Sequence, residues 1–203
     1  MTRFLLIRHG ESKANLNRHL VGGRTNYAEL SPLGAQQARR LGQYVRRHYD
    51  NLGTVFASPA VRAQHTAMLA FPDREALIID DLQELSQGQA EGQMRAEWYT
   101  AEALADLQRL GREFKFADGE STRDCGERIL AALGRISNQL PEDRLHLVVS
   151  HETAILSAIA HAYDYPQQWI YETRLPNASI TEVTVDSVSG NLKYQEIGID
   201  AQI

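Results

Sequence analysis

Phe4-Leu5-Leu6-Ile7 runs straight into Arg8-His9-Gly10-Glu11-Ser12. A short unbroken apolar run reads as a strand buried on both faces. Its last side chains would lie at the carboxyl edge of a parallel sheet, where α/β proteins bind ligands. Polar residues suited to a helix start follow Gly10, and the free N–H groups of such a helix favour an anion. Arg8 adds a planar cationic fork that matches phosphate oxygens. His9 adds a ring nitrogen that can be nucleophilic near neutral pH. An imidazole aimed at a phosphate in an anion cradle suggests phosphoryl transfer through a phosphohistidine. Taken alone, Arg-His at a strand end is more often a solvated edge, so the rest of the chain has to decide.

Three further pieces stand in matching contexts. Leu145-His146-Leu147-Val148-Val149-Ser150 is a second apolar strand, and His151 stands at its exit before a helix start at Glu152. Thr54-Val55-Phe56-Ala57 reads as a strand followed by Ser58-Pro59, an N-cap and first-turn pair, which sets Arg62 one turn into the next helix. Leu77-Ile78-Ile79 is a short strand followed by the acidic, Gly-containing segment 81–92, a plausible catalytic loop or lid that carries Glu84. His19, His48, His65, His146 and His161 lack such a context and are taken as structural.

The elements between these pieces follow from spacing. A short helix is expected from Glu11 to about His19, with Asn15 one turn after Glu11. The loop 20–26 contains Val21, Gly22 and Gly23; its glycines either let backbone approach a ligand or simply make a turn. Ser31-Pro32 opens a helix to about Tyr49, with Leu33, Ala38, Leu41 and Val45 as its apolar side. Residues 93–118 have roughly helical spacing of Trp98, Leu104, Leu107 and Leu110, and read as an insertion over the sheet edge. A long helix spans about Ser121 to Gln139, with Cys125 near its core face. Residues 163–171 read as a connection, and Ile180–Val185 with Leu192–Ile197 as a hairpin turning at 189–191. The class is α/β: a three-layer α/β/α sandwich with a mostly parallel central sheet. It forms one domain over 1–203, with a helical insertion at about 86–120 covering the carboxyl edge.

Composition narrows the function. Residues 1–75 carry 11 Lys/Arg against 5 Asp/Glu, a balance of +6, while the remainder carries 10 against 21, a balance of −11. Positive charge thus gathers where the phosphate site is expected, and acidity elsewhere argues against a nucleic-acid surface. The single Cys125 excludes an intrachain disulfide and a multi-Cys metal site, and is compatible with a reducing cytosol. Neither a signal peptide nor a membrane span is expected, so the expected location is cytoplasmic.

Together these residues resemble the histidine phosphatase superfamily, the phosphoglycerate-mutase-like proteins, over nearly the whole chain. The resemblance is carried by Leu6-Ile7-Arg8-His9-Gly10-Glu11-Ser12 with Asn15, and by Leu30-Ser31-Pro32-Leu33-Gly34 with Gln37-Ala38. It continues in Ser58-Pro59 with Arg62-Ala63 and Thr66-Ala67, and in Leu82, Glu84, Gly88 and Glu91-Gly92. Gly119-Glu120-Ser121 with Arg128, and Val148-Val149-Ser150-His151, complete it. Glu152 stands where the family often has Gly, which sets a carboxylate near the phosphate. Asn26 and Ala90 also depart from the family's usual Asp and aromatic residue.

The resemblance implies that His9 attacks phosphorus, with its other ring nitrogen held by a backbone carbonyl. Arg8, Arg62 and His151 would hold the equatorial oxygens, and Glu84 would protonate the leaving oxygen and then activate water. Asn15, Ser12, Val21, Gly22 and Glu152 would contact substrate; Tyr27, Glu91, Trp98 and Tyr99 are weaker candidates. Neither a metal nor a cofactor is expected, and the expected partner is a small phosphorylated metabolite, with a homodimer left open. An optimum on the acidic side of neutral is expected if Glu84 is the acid. Hydrolysis is favoured over phosphomutase chemistry because Arg95, Arg109, Arg112 and Lys115 are scattered among acids, without an adjacent arginine pair. A phosphate-binding module without turnover is the third alternative.

Overall fold

A computed structural model describes residues 1–141, 143–186 and 191–202. In chain order the elements are β1 (Thr2–Arg8), α1 (Lys13–Leu16), α2 (Pro32–His48), β2 (Leu52–Ala57), α3 (Val61–Ala70) and β3 (Ala76–Ile78). They continue as α4 (Arg95–Trp98), α5 (Ala101–Leu110), α6 (Thr122–Ser137), β4 (Leu145–Ser150), α7 (Glu152–Tyr163), α8 (Gln167–Glu172), β5 (Ile180–Val185) and β6 (Leu192–Ile199). The strands form one six-stranded sheet in the order β3-β2-β4-β1-β5-β6. Neighbours pair in parallel from β3 to β1, whereas β5 runs antiparallel to both β1 and β6. The fold is therefore α/β with a mixed sheet.

Alternation along β1 builds the layers, because successive side chains leave a strand on opposite faces. Phe4 and Leu6 join Phe56, Val148 and the inner faces of α6 and α7 in one core. Leu5 and Ile7 join Val55, Leu147, Val149 and residues of α2 and α3 in the other. Both His-bearing exits lie side by side, since β1 and β4 pair in register from Arg3↔Leu145 to Arg8↔Ser150. Their carboxyl ends thus deliver His9 and His151 to one point. The turn after β1 packs against α2 so closely that a Cβ on Gly34 would meet the Glu11 carbonyl oxygen at 1.9 Å.

Several expected elements differ. The first helix is only Lys13–Leu16, because a Ser12–Asn15 capping box starts it and Asn17 ends it. The chain then turns so that Val21 N–H bonds the Gln93 carbonyl at 2.9 Å. Ala60, not Ser58, is the N-cap of α3. Residues 93–118 are not one helix: Thr100 recaps the chain, Gly111 with φ 55° ends α5, and α5 buries no residue. Leu33 points outward and is 48 % exposed, leaving Ala38, Leu41 and Val45 as the buried stripe of α2. The expected connection at 163–171 includes α8, which Pro166 opens. Ser189 and Gly190 of the expected hairpin turn lie outside the described residues. No described helix is long and apolar enough to cross a membrane.

Candidate active site

His9 and His151 are both buried, and their rings meet edge to face with centroids 5.1 Å apart. Arg62 ties them together: its Nε–H donates to His9 Nε2 at 3.1 Å and its Nη2 lies 3.2 Å from His151 Nδ1. A guanidinium only donates, so each of these ring nitrogens carries a lone pair. The remaining nitrogens are then the N–H groups: His9 Nδ1 donates to the Gly10 carbonyl at 2.7 Å, and His151 Nε2 to Ser58 Oγ at 2.8 Å. Burial, reinforced by Arg62 and by further nearby charge, holds both imidazoles well below their ordinary pKa. His9 is therefore a neutral imidazole with Nε2 as its basic atom, the state a nucleophile needs.

Arg62 is placed by its helix and by the loop before it. It donates to the Thr25 carbonyl at 2.7 Å and to the Gly23 carbonyl at 3.2 Å. Thr66, one turn on, donates to the Arg62 carbonyl and accepts the Gly10 N–H at 3.0 Å, joining α3 to the turn that carries His9. Arg8 is anchored on its other side by the Leu175 carbonyl and by Glu152, at 3.0 Å from its carboxylate. Among the described residues its buried Nε has no hydrogen-bond partner. The same Glu152 accepts the Leu175 N–H at 3.1 Å, so one carboxylate locks Arg8 to the 173–177 segment.

Glu84 faces this group from the acidic loop. Its carboxylate accepts N–H groups of Leu85 at 2.8 Å, Ala154 at 2.9 Å and Thr153 at 3.3 Å, and so caps the start of α7. Burial pushes its pKa up, and the Leu85 N–H and the Arg62 charge only partly offset that. Such a carboxyl keeps its proton to higher pH than usual, as a general acid requires. Asn15 is oriented by three donors to its Oδ1, from Ser12 N–H, Ser12 Oγ and Asn177 Nδ2. Its amide nitrogen is thereby the group left to face the cavity.

A cavity of about 230 Å³ gathers Arg8, His9, Ser12, Asn15, Gly22, Arg62, Glu84 and Glu152. His151, fully buried, does not line it and meets the group through its contact with Arg62. Val21 does not line this cavity: it is 1 % exposed, and both its N–H and its carbonyl are used in pairing with the 92–93 segment. Tyr27 lines a separate neighbouring pocket, and Glu91 is spent on the Gln87 N–H and Ser86 hydroxyl, bracing the acidic loop. Trp98 and Tyr99 pack on Phe116. Among the described residues no group of three or more His, Cys, Asp or Glu side chains could hold a metal.

The family description "Histidine phosphatase superfamily (branch 1)" matches residues 4–197. The chain belongs to this superfamily. It is 26 % identical over 185 residues to a Bacillus subtilis protein described as an uncharacterized phosphatase, covering 90 % of this chain and 88 % of that one. It is 32 % identical over 193 residues to a probable phosphoglycerate mutase of Erwinia tasmaniensis, covering 90 % and 85 %. A solved mutant of a phosphoserine phosphatase from Entamoeba histolytica, in complex with phosphoserine, superposes with TM-score 0.83 at 25 % identity, covering 100 % of this chain and 98 % of the other.

In this histidine phosphatase the motif residues Glu120 and Arg128 brace the site. Arg128 pairs with Glu120 through two contacts of 2.8 Å and donates to the Asp81 and Gln83 carbonyls. Arg24 contacts Glu120 at 2.8 Å and the Glu84 carbonyl at 3.1 Å. Together they pin the loop from which Glu84 reaches α7. Arg128 and Ser58 stand among the residues that carry the family resemblance, whereas nothing in the spacing marks Arg24 or Asn177 as site partners.

Proposed function

We propose that the protein hydrolyses a small phosphorylated metabolite through a phosphohistidine on His9, within one catalytic domain whose 86–120 segment covers the site. The observation that carries this reading is the single guanidinium of Arg62 bridging two neutral imidazoles, with the raised carboxyl of Glu84 in the same cavity. The Arg62 Nε–H moves from His9 Nε2 to a phosphoryl oxygen as the ester enters, freeing that lone pair. Nε2 then attacks phosphorus in line while Glu84 gives its proton to the leaving oxygen. As the alcohol departs, water takes its place. Glu84, now a carboxylate, draws a proton from that water, and the phosphoryl group passes from His9 to it. Arg8, Arg62 and the Asn15 amide carry the oxygens through both steps, the electrostatic work that dominates phosphoryl transfer. His151, bonded to Arg62 and Ser58, steadies the guanidinium between them.

The reading puts the enzyme in the cytoplasm, where an unpaired buried thiol such as Cys125 meets a reducing environment. Phosphomutase chemistry is the second reading, favoured by the 32 % identical relative and by Arg95 at the cavity wall. The test is phosphate release from a chromogenic phosphomonoester, with the His9→Ala protein as blank. Phosphate binding without release would leave a binding module instead. Isomerised product retaining the phosphate label would favour the mutase.

A further inference from the structure

A groove of about 830 Å³ adjoins the catalytic cavity and shares Arg8, Asn15, Gly22, Arg95 and Glu152 with it. Arg18, Arg95 and Arg174 come to this groove from three separate segments. Backbone bonds fix their approach. The Arg95 N–H donates to the His19 carbonyl at 2.8 Å and Leu20 bridges Met94, which sets Arg95 beside the turn carrying Arg18. Arg174 precedes Leu175, which is held by Glu152, and the Ala178 N–H is bound to the Arg8 carbonyl at 3.1 Å.

These three arginines differ from most others near the insertion. Arg24, Arg112, Arg123, Arg128 and Arg135 each have a carboxylate partner. Among the described residues, Arg18, Arg95 and Arg174 have none within ion-pair distance. The carboxylates on the groove are already engaged, Glu11 with the Ser31 hydroxyl at 2.7 Å and Glu152 with Arg8 and Leu175. Arg95 stacks on the Tyr99 ring, 4.8 Å from its centroid, which leaves its charge in place. With Arg8, the groove thus carries four guanidiniums against the carboxylates of Glu11 and Glu152, a local positive excess in a chain of net charge −5. The catalytic cavity is about 230 Å³, and of the two pockets that share residues with it the groove is the one lined by Arg18, Arg95 and Arg174 and the larger at about 830 Å³.

We propose that the groove seats a second anionic group, a carboxylate or a phosphate, carried by the leaving-group side of the phosphomonoester. This deepens the phosphomonoesterase reading and rests on it. Each of the three side chains is exposed, so one alone adds little and the effect is salt-sensitive. Acting together on one bound anion, they select substrates rather than drive the chemistry.

The test compares three esters of equal chain length: 3-hydroxypropyl phosphate, 3-(phosphonooxy)propanoate and 3-phosphonopropyl phosphate. The wild-type kcat/KM for at least one doubly anionic ester should exceed that for the neutral one by roughly tenfold or more, the weight of a charged hydrogen bond. Whichever anion is preferred identifies the second group as carboxylate or phosphonate-like. Arg18→Ala with Arg174→Ala should collapse that preference, and raised salt should shrink it. Calorimetry on the His9→Ala protein should show the same order in binding. Equal kcat/KM for all three esters, or a double variant that loses activity on all three alike, overturns the proposal. Failure of the wild type to release phosphate from any ester overturns the hydrolase reading itself; the binding order in the His9→Ala protein then still judges the groove.

Discussion

The Nε–H of Arg62 donates to the Nε2 of His9 at 3.1 Å, so in the proposed mechanism the cation that meets the phosphoryl group rests on the lone pair of the attacking atom. The other arm of the same guanidinium lies on His151 Nδ1 at 3.2 Å. One side chain thus sets the tautomer of both rings and occupies the lone pair of His9 Nε2.

Arg62→Ala should therefore lose more than one phosphate contact. Removing a preorganised donor costs roughly a hundredfold to a thousandfold in rate. Arg62→Lys should recover little of this, because a point charge cannot reach both imidazoles and the Gly23 and Thr25 carbonyls. Steady-state kcat/KM on one ester checks this, and full rescue by Lys would count against the bridging role.

The pH profile of kcat/KM should be bell-shaped and centred on the acidic side of neutral. His9 is held well below its ordinary 6.5, so it stays neutral and nucleophilic as pH falls past that value. Glu84 is raised above its ordinary 4.5, so it remains a proton donor higher than a free carboxyl would. Activity is lost below the His9 pKa and above that of Glu84. Glu84→Gln should lower the rate and remove the alkaline limb; an unchanged limb in that variant would assign it to another group.

Folding stability should fall as pH drops from about 6.5, the ordinary imidazole value. The native state resists protonation of His9 and His151, while the unfolded chain accepts protons on both. Their contribution is complete above the unfolded pKa and is lost as pH falls toward the native ones. Urea unfolding of wild type and of His9→Phe between neutral and weakly acid pH checks the sign. A stability difference between wild type and His9→Phe that grows in favour of the wild type on acidification would contradict a neutral buried His9, because the raised Glu84 acts alike in both proteins.

Glu152→Gln should tighten binding of inorganic phosphate by about threefold to tenfold. The substitution removes a negative charge 3.0 Å from the Arg8 guanidinium, while the Leu175 carbonyl still holds that side chain in place. Competitive inhibition by phosphate measures it. Weaker inhibition would mean that Glu152 is needed to aim Arg8 rather than merely to temper it.

Arg128→Ala should destabilise the fold by about 1.5–3 kcal/mol, the range for hydrogen bonds to charged groups. It releases Glu120 and the carbonyls of Asp81 and Gln83, and so loosens the loop bearing Glu84. Urea titration gives the stability change, and kcat should fall in parallel while binding of phosphate changes less.

The two strand-exit histidines were legible because an unbroken apolar run that ends in His fixes both the buried strand and the edge where its last side chain emerges. Parallel pairing of β1 with β4 then makes them neighbours. Ser-Pro is a helix-start signal, but the helix begins two residues beyond Pro59; the Ser58 hydroxyl accepts the Ala60 N–H at 3.3 Å and also the His151 N–H at 2.8 Å, which the signal does not encode. Leu104 and Leu110 carried a helical period without a buried face, since no residue of α5 is buried. Glycines at 22–23 could not say which residue of the loop would turn inward; backbone pairing of Val21 with the 92–93 segment decides it. Asn177 and Leu175 meet the site only through tertiary contacts across most of the chain, which local patterns do not encode.

Rapid quenching of the enzyme during turnover of a radiolabelled phosphomonoester tests the phosphohistidine most directly. Wild-type protein should carry an acid-labile, alkali-stable phosphoryl group on His9, appearing faster than steady-state phosphate release and absent from His9→Ala. Turnover with no such group at any quench time, or the same label on the His9→Ala protein, would contradict attack by His9.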